Sequence, residues 1–343
     1  MGNGPLTESI QRTKKLEWED VVYSAKAYQT PFLALLKRDK KPVQKEYSWP
    51  VMTPEDIGLG GRMDSNDVGT DDYNHQNRDS LKGVCQWFLE AWKISHFADL
   101  TTSHGVKDEA KFQAAHALDR LKLKIEKYLL SDTDCAVESG VDQPNETRGV
   151  GRWLENDAAS INTEYPIPSD YRVSSDCEFT DPVDEFGAGD LQGMLEAASL
   201  QMEKARTWDG FLGLKLKSQM DDWTEHDPDA TETNVALKSF NAMASDKSYL
   251  KQVDFFQFSA GIVRAHVNYN LLCDKASGAK SDYSSRSGYF LDMDQWKIAF
   301  MAGIATHRLP DLGGGPRGYH DATLGLKCLM PVGQAIAKIS ADT

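Results

Sequence analysis

The chain predicts an α+β fold made of long, unequal parts. Three observations carry that prediction. From Val106 to Leu130 apolar residues recur every three to four positions. Residues 43–52 and 81–97 alternate apolar with polar, and a segment without any period lies between them. The C-terminal third then turns to short runs rich in β-branched and aromatic residues.

Residues 1–42 form an arm. Trp18, Val21, Val22 and Ala25 fall at helical spacing, and Thr30-Pro31 ends that helix, because the residue before a proline avoids the α region. Phe32, Leu33, Leu35 and Leu36 give a short apolar patch, followed by the basic run that starts at Lys37. The arm has no core of its own, so it must pack on its own body or on a neighbour.

In the first strand Val43, Lys45, Tyr47, Trp49 and Val51 share one face. Residues 54–80 hold Gly58, Gly60, Gly61 and Gly69 among many aspartates, and predict a long loop. In the second strand Val84, Gln86, Phe88, Glu90, Trp92, Ile94 and His96 share one face. Together these parts predict a projecting β-hairpin, which is marginal alone and needs a partner surface.

The helix 106–130 carries a stripe of Leu118, Leu121, Ile125 and Leu129, with Asp108 and Glu109 in its first turn and Lys124 and Lys127 near its end. It would be about 35 Å long. Residues 131–190 have weak periodicity. A second helix spans 190–206, with Asp190 as its N-cap. Residues 211–225 are ambiguous, and 226–247 read as loop with a short helix. Strands flank the turn Ser259-Ala260-Gly261, a polar loop covers 274–288, and further strands fall at 289–301, 304–309 and 322–339. There is no internal repeat.

Composition excludes several classes. At 343 residues and 40% hydrophobic content the chain can bury one large core or two ordinary ones. It has no apolar run near the roughly 18 residues that span a bilayer. The N-terminus lacks a signal-peptide pattern, and Leu6 stands where a myristoylation site wants Ser or Thr. Five scattered cysteines without CxxC spacing argue against a disulfide framework or structural zinc, and place the chain in a reduced, cytoplasmic setting. A net charge of −14 argues against wrapping nucleic acid but not against facing it.

Candidate chemistry is weak throughout. Gly313-x-Gly315-x-x-Gly318 matches a dinucleotide fingerprint formally, but Pro316 sits inside it and a strand follows instead of a helix. Asp64-x-Asn66-x-Val68-Gly69 begins like an EF-hand loop, yet Val68 and His75 replace needed ligands. The eight histidines form no metal-ligand pair at helical spacing, and no GxSxG elbow is present. These residues predict no catalytic site, no metal and no cofactor.

The order of parts resembles the major capsid proteins of tailed bacteriophages, the fold named after phage Hong Kong 97, and more narrowly the branch grouped with SU10-type podophages. The resemblance rests on Glu46-Tyr47-Ser48-Trp49 before the acidic loop, on the return strand Val84 to Phe97, and on the helix end Ala117 to Leu130. It continues through Arg148-Gly149-Val150-Gly151-Arg152-Trp153-Leu154, Phe290 to Phe300, and Ala322 to Lys327. Ala302-Gly303 departs from it, where an arginine is common.

The resemblance implies an N-terminal arm (1–42), an extended hairpin loop (43–98), a peripheral domain with a spine helix (99–145 and 250–343) and an axial domain (146–249). It implies a structural subunit that encloses double-stranded DNA without sequence-specific binding, in a virion assembled in the host cytoplasm. Its partners would be copies of itself in pentamers and hexamers, a portal, and scaffolding or decoration proteins. The fold region begins close to the N-terminus, so any scaffold is expected to be separate. Trp49, Trp87 and Trp92 are expected to anchor the hairpin on a neighbour, and Trp18, Tyr23 and Phe32 to tie subunits together. Two alternatives stand beside this reading: a cellular nanocompartment shell, and a cytoplasmic α+β enzyme with an acidic site.

Overall fold

The computed structural model describes residues 29–52, 67, 78–101, 108–140, 143–204, 206–223, 254–273, 275 and 277–339. The arm helix before Gln29, most of the acidic loop with its EF-hand-like start, and the 226–247 segment lie outside the described residues.

In chain order the helices are α1 (Pro31–Leu35), α2 (His96–Leu100), α3 (Glu109–Leu129), α4 (Val150–Trp153), α5 (Ala188–Met202) and α6 (Leu214–Asp222). The strands are β1 (Lys37–Arg38), β2 (Glu46–Val51), β3 (Asp79–Val84), β4 (Gln86–Lys93), β5 (Glu178–Phe179), β6 (Arg206–Leu212), β7 (Phe255–Phe258), β8 (Gly261–Val267), β9 (Gly288–Leu291), β10 (Trp296–Leu309), β11 (Arg317–Cys328) and β12 (Ala335–Ala337). Among the described residues no helix is long and apolar enough to cross a membrane. The mixture of helix and strand agrees with the α+β prediction.

The chain divides into two compact units. The larger holds Gln29–Leu89, Leu121–Ala305 and Asp321–Thr343; the described part of the smaller is Glu90–Arg120 and Thr306–His320. The elements α3, β4, β10 and β11 contribute residues to both.

In the larger unit a six-stranded sheet runs β5-β12-β9-β6-β8-β7. Its centre is β6, which pairs in parallel with β8 from Arg206↔Gly261 to Leu212↔Val267 and antiparallel with β9 from Asp209↔Leu291 to Leu212↔Gly288. Sequence reading missed β6, because Trp208 to Leu212 are all buried and a strand covered on both faces shows no alternation. This sheet takes β6 from the segment expected to be axial and β7, β8, β9 and β12 from the segment expected to be peripheral.

Helix α5 lays Leu191, Met194, Leu195 and Ala198 into the core, at the spacing of one helical face. It starts two residues earlier than expected. Gly187 is the N-cap, and Asp190 sits in the first turn with its carboxylate accepting the Gly187 N–H at 2.8 Å. The predicted N-cap role of Asp190 is thus replaced by a first-turn role, which satisfies the same exposed donor end from the other side.

The predicted hairpin is shorter than its sequence pattern. Strand β2 pairs with β3 from Glu46↔Val84 to Val51↔Asp79. The strand is interrupted at Cys85, whose N–H donates to Lys45 O at 2.7 Å, and β4 enters another sheet, ordered β1-β10-β11-β4. The alternating face survives this change of sheet, since Val84, Phe88 and Trp92 are all buried.

Helix α3 matches its prediction within three residues at the start and one at the end. Leu121, Ile125 and Leu129 enter the core of the larger unit. Within the smaller unit Ala117 packs with Trp92 and Ile94. There the His320 ring faces Ala114 O at 2.9 Å and Thr306 Oγ1 at 2.9 Å. A carbonyl only accepts, so Nε2 carries a proton and donates to Ala114 O.

The formal dinucleotide fingerprint is the turn between β10 and β11. Asp311 accepts the N–H groups of Gly313, Gly314 and Gly315 at 2.9, 3.1 and 3.1 Å. Gly315 has φ +96°, and a Cβ there would overlap the Ile94 carbonyl. The glycines serve a tight turn and close chain approach, not a phosphate.

Candidate functional site

The residues expected to form an assembly surface differ in exposure. Trp18 and Tyr23 lie outside the described residues. Phe32 is 0% exposed and packs edge-on against Phe211 (5.3 Å between ring centroids) and Trp296 (6.4 Å). Trp49 is 6% exposed, lies 5.7 Å from Trp153 and 5.8 Å from Tyr47, and has Lys327 Nζ over its ring. Trp92 is 8% exposed in the smaller unit, where a Cβ on Gly318 would press on its ring.

Phe32, Trp49 and Trp92 are thus buried within the chain, and most of their side-chain area is already removed from water. Trp87 differs. It is 59% exposed, and its Nε1 donates to Asp321 Oδ2 at 3.0 Å. The sequence held this distinction, since Trp92 shares the face of Val84 and Phe88 while Trp87 points the other way.

Other exposed apolar residues were not singled out from sequence. Phe255 on β7 is 66% exposed and pairs with Arg264, also exposed. Strand β7 ends the six-stranded sheet, so its outer edge is unpaired among the described strands. In the smaller unit Phe97 and Leu100 of α2 and Leu312 of the β10–β11 turn are exposed. Isolated exposed apolar residues are ordinary, and only strand order or clustering makes them informative.

The Arg148 to Leu154 motif is a built corner. Arg148 is buried, donates to Asp134 Oδ1 at 2.6 Å and Tyr165 O at 2.7 Å, and lies over the Trp153 ring at 4.8 Å. Gly149 leaves no room for a Cβ beside the Ser131 carbonyl, and a Cβ on Gly151 would fall 2.8 Å from Tyr289 Oη. Thr147 Oγ1 accepts the Leu326 N–H at 3.0 Å, tying the corner to β11. The motif is architectural.

Nothing described resembles a reaction centre. His266 Nε2 lies 3.2 Å from Asp209 Oδ1, but the imidazole stacks on Phe211, and no hydroxyl or thiol is hydrogen-bonded to it among the described residues. All five cysteines are buried and free. Burial raises the thiols of Cys85 and Cys177 to about 11 and that of Cys135 to about 12, the opposite of an activated nucleophile. Among the described residues no group of three His, Cys, Asp or Glu side chains could hold a metal ion.

Comparison with known proteins agrees with this geometry. The family model "SU10 major capsid protein" matches residues 6–340. No curated protein matches the chain by sequence. The fold is similar to the capsid structure of the cyanophage P-SCSP1u, with TM-score 0.63 and 8% identity over 97% of this chain and 95% of that one. It is similar to a Gordonia phage Cozz structure, with TM-score 0.60 and 12% identity over 97% and 94%. It is also similar to the capsid of a native GTA particle, with TM-score 0.59 and 8% identity over 99% of each chain.

Proposed function

The chain belongs to the SU10 major capsid protein family and is a major capsid protein of a tailed-phage head, and from that premise we propose that copies of it close around double-stranded DNA. The observation that carries this reading is the family match across residues 6–340, which leaves almost no part of the chain for another task.

The subunit assembles with itself, and the geometry supports how. The described part of the hairpin pairs six residues of β2 with β3, and its inner face and that of α1 pack on the chain's own core, which leaves their outer faces for neighbouring copies. Summed over a closed shell, many weak repeated contacts give stability through multivalency. The described residues offer an exposed Trp87 and an unpaired β7 edge for such contacts.

The enclosed DNA is held by confinement, not by base reading. A net charge of −14 repels a polyanion and keeps it from adhering to the wall. A portal, and scaffolding or decoration proteins, complete the particle in the bacterial cytoplasm. We assign the six-stranded sheet with α5 and α6 to the axial domain, and α3 with the β1-β10-β11-β4 sheet to the peripheral domain.

The test is expression of the full chain, alone and with the neighbouring head genes, followed by size-exclusion chromatography and electron microscopy. Closed shells, or rings of five and six, are expected, and shells made with the full gene set should protect DNA from nuclease. A monomer at every concentration in both settings would overturn the reading, and DNA-free shells filled with protein would point to a nanocompartment.

A further inference from the structure

The net charge of −14 is not spread evenly. Residues 37–45 hold five cations, Lys37, Arg38, Lys40, Lys41 and Lys45, against the one carboxylate of Asp39, so the rest of the chain is more acidic still. All five cations are exposed. The backbone that carries them is fixed at both ends. Lys37 and Arg38 pair with Lys297 and Ile298 of β10, the Asp39 N–H donates to Ile298 O at 2.9 Å, and Lys45 O accepts the Cys85 N–H at 2.7 Å. Strand β1 ends its four-stranded sheet, so the run starts on a sheet edge with no further strand beyond it among the described residues.

The nearby carboxylates are turned to other partners. Asp39 accepts from Lys327 Nζ at 2.7 Å, and Glu46 is hydrogen-bonded to the Tyr165 hydroxyl. Lys37 meets Asp294, but the two side chains are 62% and 75% exposed, and such a surface pair holds its charges only weakly. The Arg38 guanidinium lies over the Phe300 ring at 5.3 Å. Lys40, Lys41 and Lys45 make no ion pair among the described residues. Unpaired cations on one edge of an acidic protein repel one another and attract a polyanion.

The composition of the edge says which polyanion. A protein partner is held by a buried centre of aromatic, arginine or other large side chains. Between residues 37 and 45 there is no aromatic residue, and Val43 is the single exposed apolar one. A phosphate backbone needs no such centre, because neutralised phosphates release counterions and that release drives binding. Four of the five cations are lysines, compact charges on flexible stems that meet a phosphate without fixing its geometry. A run of this length reaches at most about 30 Å when extended, and over that distance a DNA duplex presents one charge per roughly 1.7 Å of its axis.

We propose that the edge formed by residues 37–45 is a contact point for the phosphate backbone of the enclosed double-stranded DNA. The proposal deepens the reading of the chain as a subunit of a DNA-filled shell and rests on it. It places this edge on the inner wall, where one basic strip per subunit holds the duplex against a surface that otherwise repels it. Phosphate contacts carry no sequence information, so any duplex serves.

The test uses two full-length variants with the same change in net charge. One is Lys40→Gln with Lys41→Gln. The control is Lys93→Gln with Lys215→Gln, two exposed lysines outside the run. Unassembled subunits are titrated with a short DNA duplex, followed by fluorescence anisotropy, at salt concentrations from about 25 to 200 mM. The slope of log affinity against log salt should be about −4 for wild type, since each neutralised phosphate contributes roughly 0.9. It should be shallower by about two for the Lys40, Lys41 variant, with binding at least about tenfold weaker at the low end of that range, and unchanged for the control. Lys45→Gln, which should make the slope shallower by about one, repeats the test at a separate position.

Shells made with the head genes are counted in parallel. If wild type gives no shell or ring, the shell reading fails and the proposal falls with it. Where wild type assembles, all three proteins should give the same count, and formaldehyde treatment of filled wild-type shells should join Lys40 or Lys41 to DNA. A wild-type slope near zero, or equal slopes for the two variants, would overturn the proposal while leaving the shell reading intact. Loss of shells from the Lys40, Lys41 variant with duplex binding kept would make the edge a protein contact instead. Filled shells with no DNA joined to either lysine would put the edge away from the lumen, and each of these results would overturn the proposal.

Discussion

Glu126 in the last third of α3 accepts the backbone N–H of Phe32 at 3.0 Å, joining α3 to the first turn of α1. Its other oxygen accepts the Leu33 N–H at 2.7 Å, and Asn268 Nδ2 donates at 2.9 Å. No cation is paired with it among the described residues, and the side chain is fully buried. The Glu126 carboxylate, by accepting the Phe32 and Leu33 N–H groups, does for α1 what a cap residue does, since Thr30 makes no side-chain cap of its own.

Burial raises the Glu126 carboxyl above its ordinary value near 4.5, and the three hydrogen bonds only partly offset that. The folded-state pKa therefore exceeds the unfolded one. The stabilising contribution is complete below about 4.5 and declines as pH rises through the raised value. Glu126→Gln should flatten this part of the stability profile in urea titrations run from pH 4 to 8. Glu126→Ala should cost about 3 kcal/mol near pH 4, because it orphans buried donors worth about 1–3 kcal/mol each, and the cost should shrink as pH rises and the wild-type contribution declines. A wild-type profile parallel to that of the glutamine variant would refute the assignment.

Phe32 and Trp87 separate stability from assembly. Phe32→Ala removes a fully buried ring between Phe211 and Trp296, so it should lower stability by about 3–5 kcal/mol. Trp87→Ala removes a mostly exposed ring and one hydrogen bond, so it should shift stability by less than about 1 kcal/mol. Shell yield should fall with Trp87→Ala while the melting temperature holds. A change in melting temperature with yield intact would show that Trp87 serves the fold.

The fold was legible where one face of an element meets water. The stripe of α3 and the face Val84, Phe88, Trp92 are both visible as periods, and both are buried as expected. Strand β6 was hidden because Trp208 to Leu212 are covered on both sides. The break at Cys85 was hidden because the alternation continues unchanged across it while the pairing partner changes from β2 to β11. Among the interface candidates, an aromatic residue type alone could not tell Trp49 from Trp87. Only the pairing of β2 with β3, which turns Trp49 onto Trp153, decides it.

Gly315 and Gly303 make a matched pair for the β10–β11 region. Gly315 has φ +96° and faces His96 N at 2.8 Å from where a Cβ would stand. Gly303 lies in β10 with nothing within 4 Å of that point. Gly315→Ala should destabilise the chain by about 1–3 kcal/mol through backbone strain and contact. Gly303→Ala should be neutral or slightly stabilising, because alanine loses less backbone entropy on folding. Thermal unfolding of the two variants side by side checks this, and equal melting temperatures would show that the turn has room to relax.

The five cysteines give a test of the core that needs no mutation. All are buried, and desolvation is the largest cause of the raised pKa of each thiol. Thiolate is the reactive form, and both its fraction and its access to reagent are low in the folded chain. At pH 8 the native subunit should react with a thiol reagent at a rate limited by opening of the structure, and denaturant should release all five at once. Of the five, Cys85 lies at the junction between β3 and β4, where the chain changes sheets. If any thiol labels ahead of global unfolding, Cys85 is expected to be the one, because a local opening there needs only its hydrogen bond to Lys45 O and the adjoining strand ends to part. Fast labelling of Cys328, which is fully buried within β11, would instead mean that the sheet core opens under native conditions.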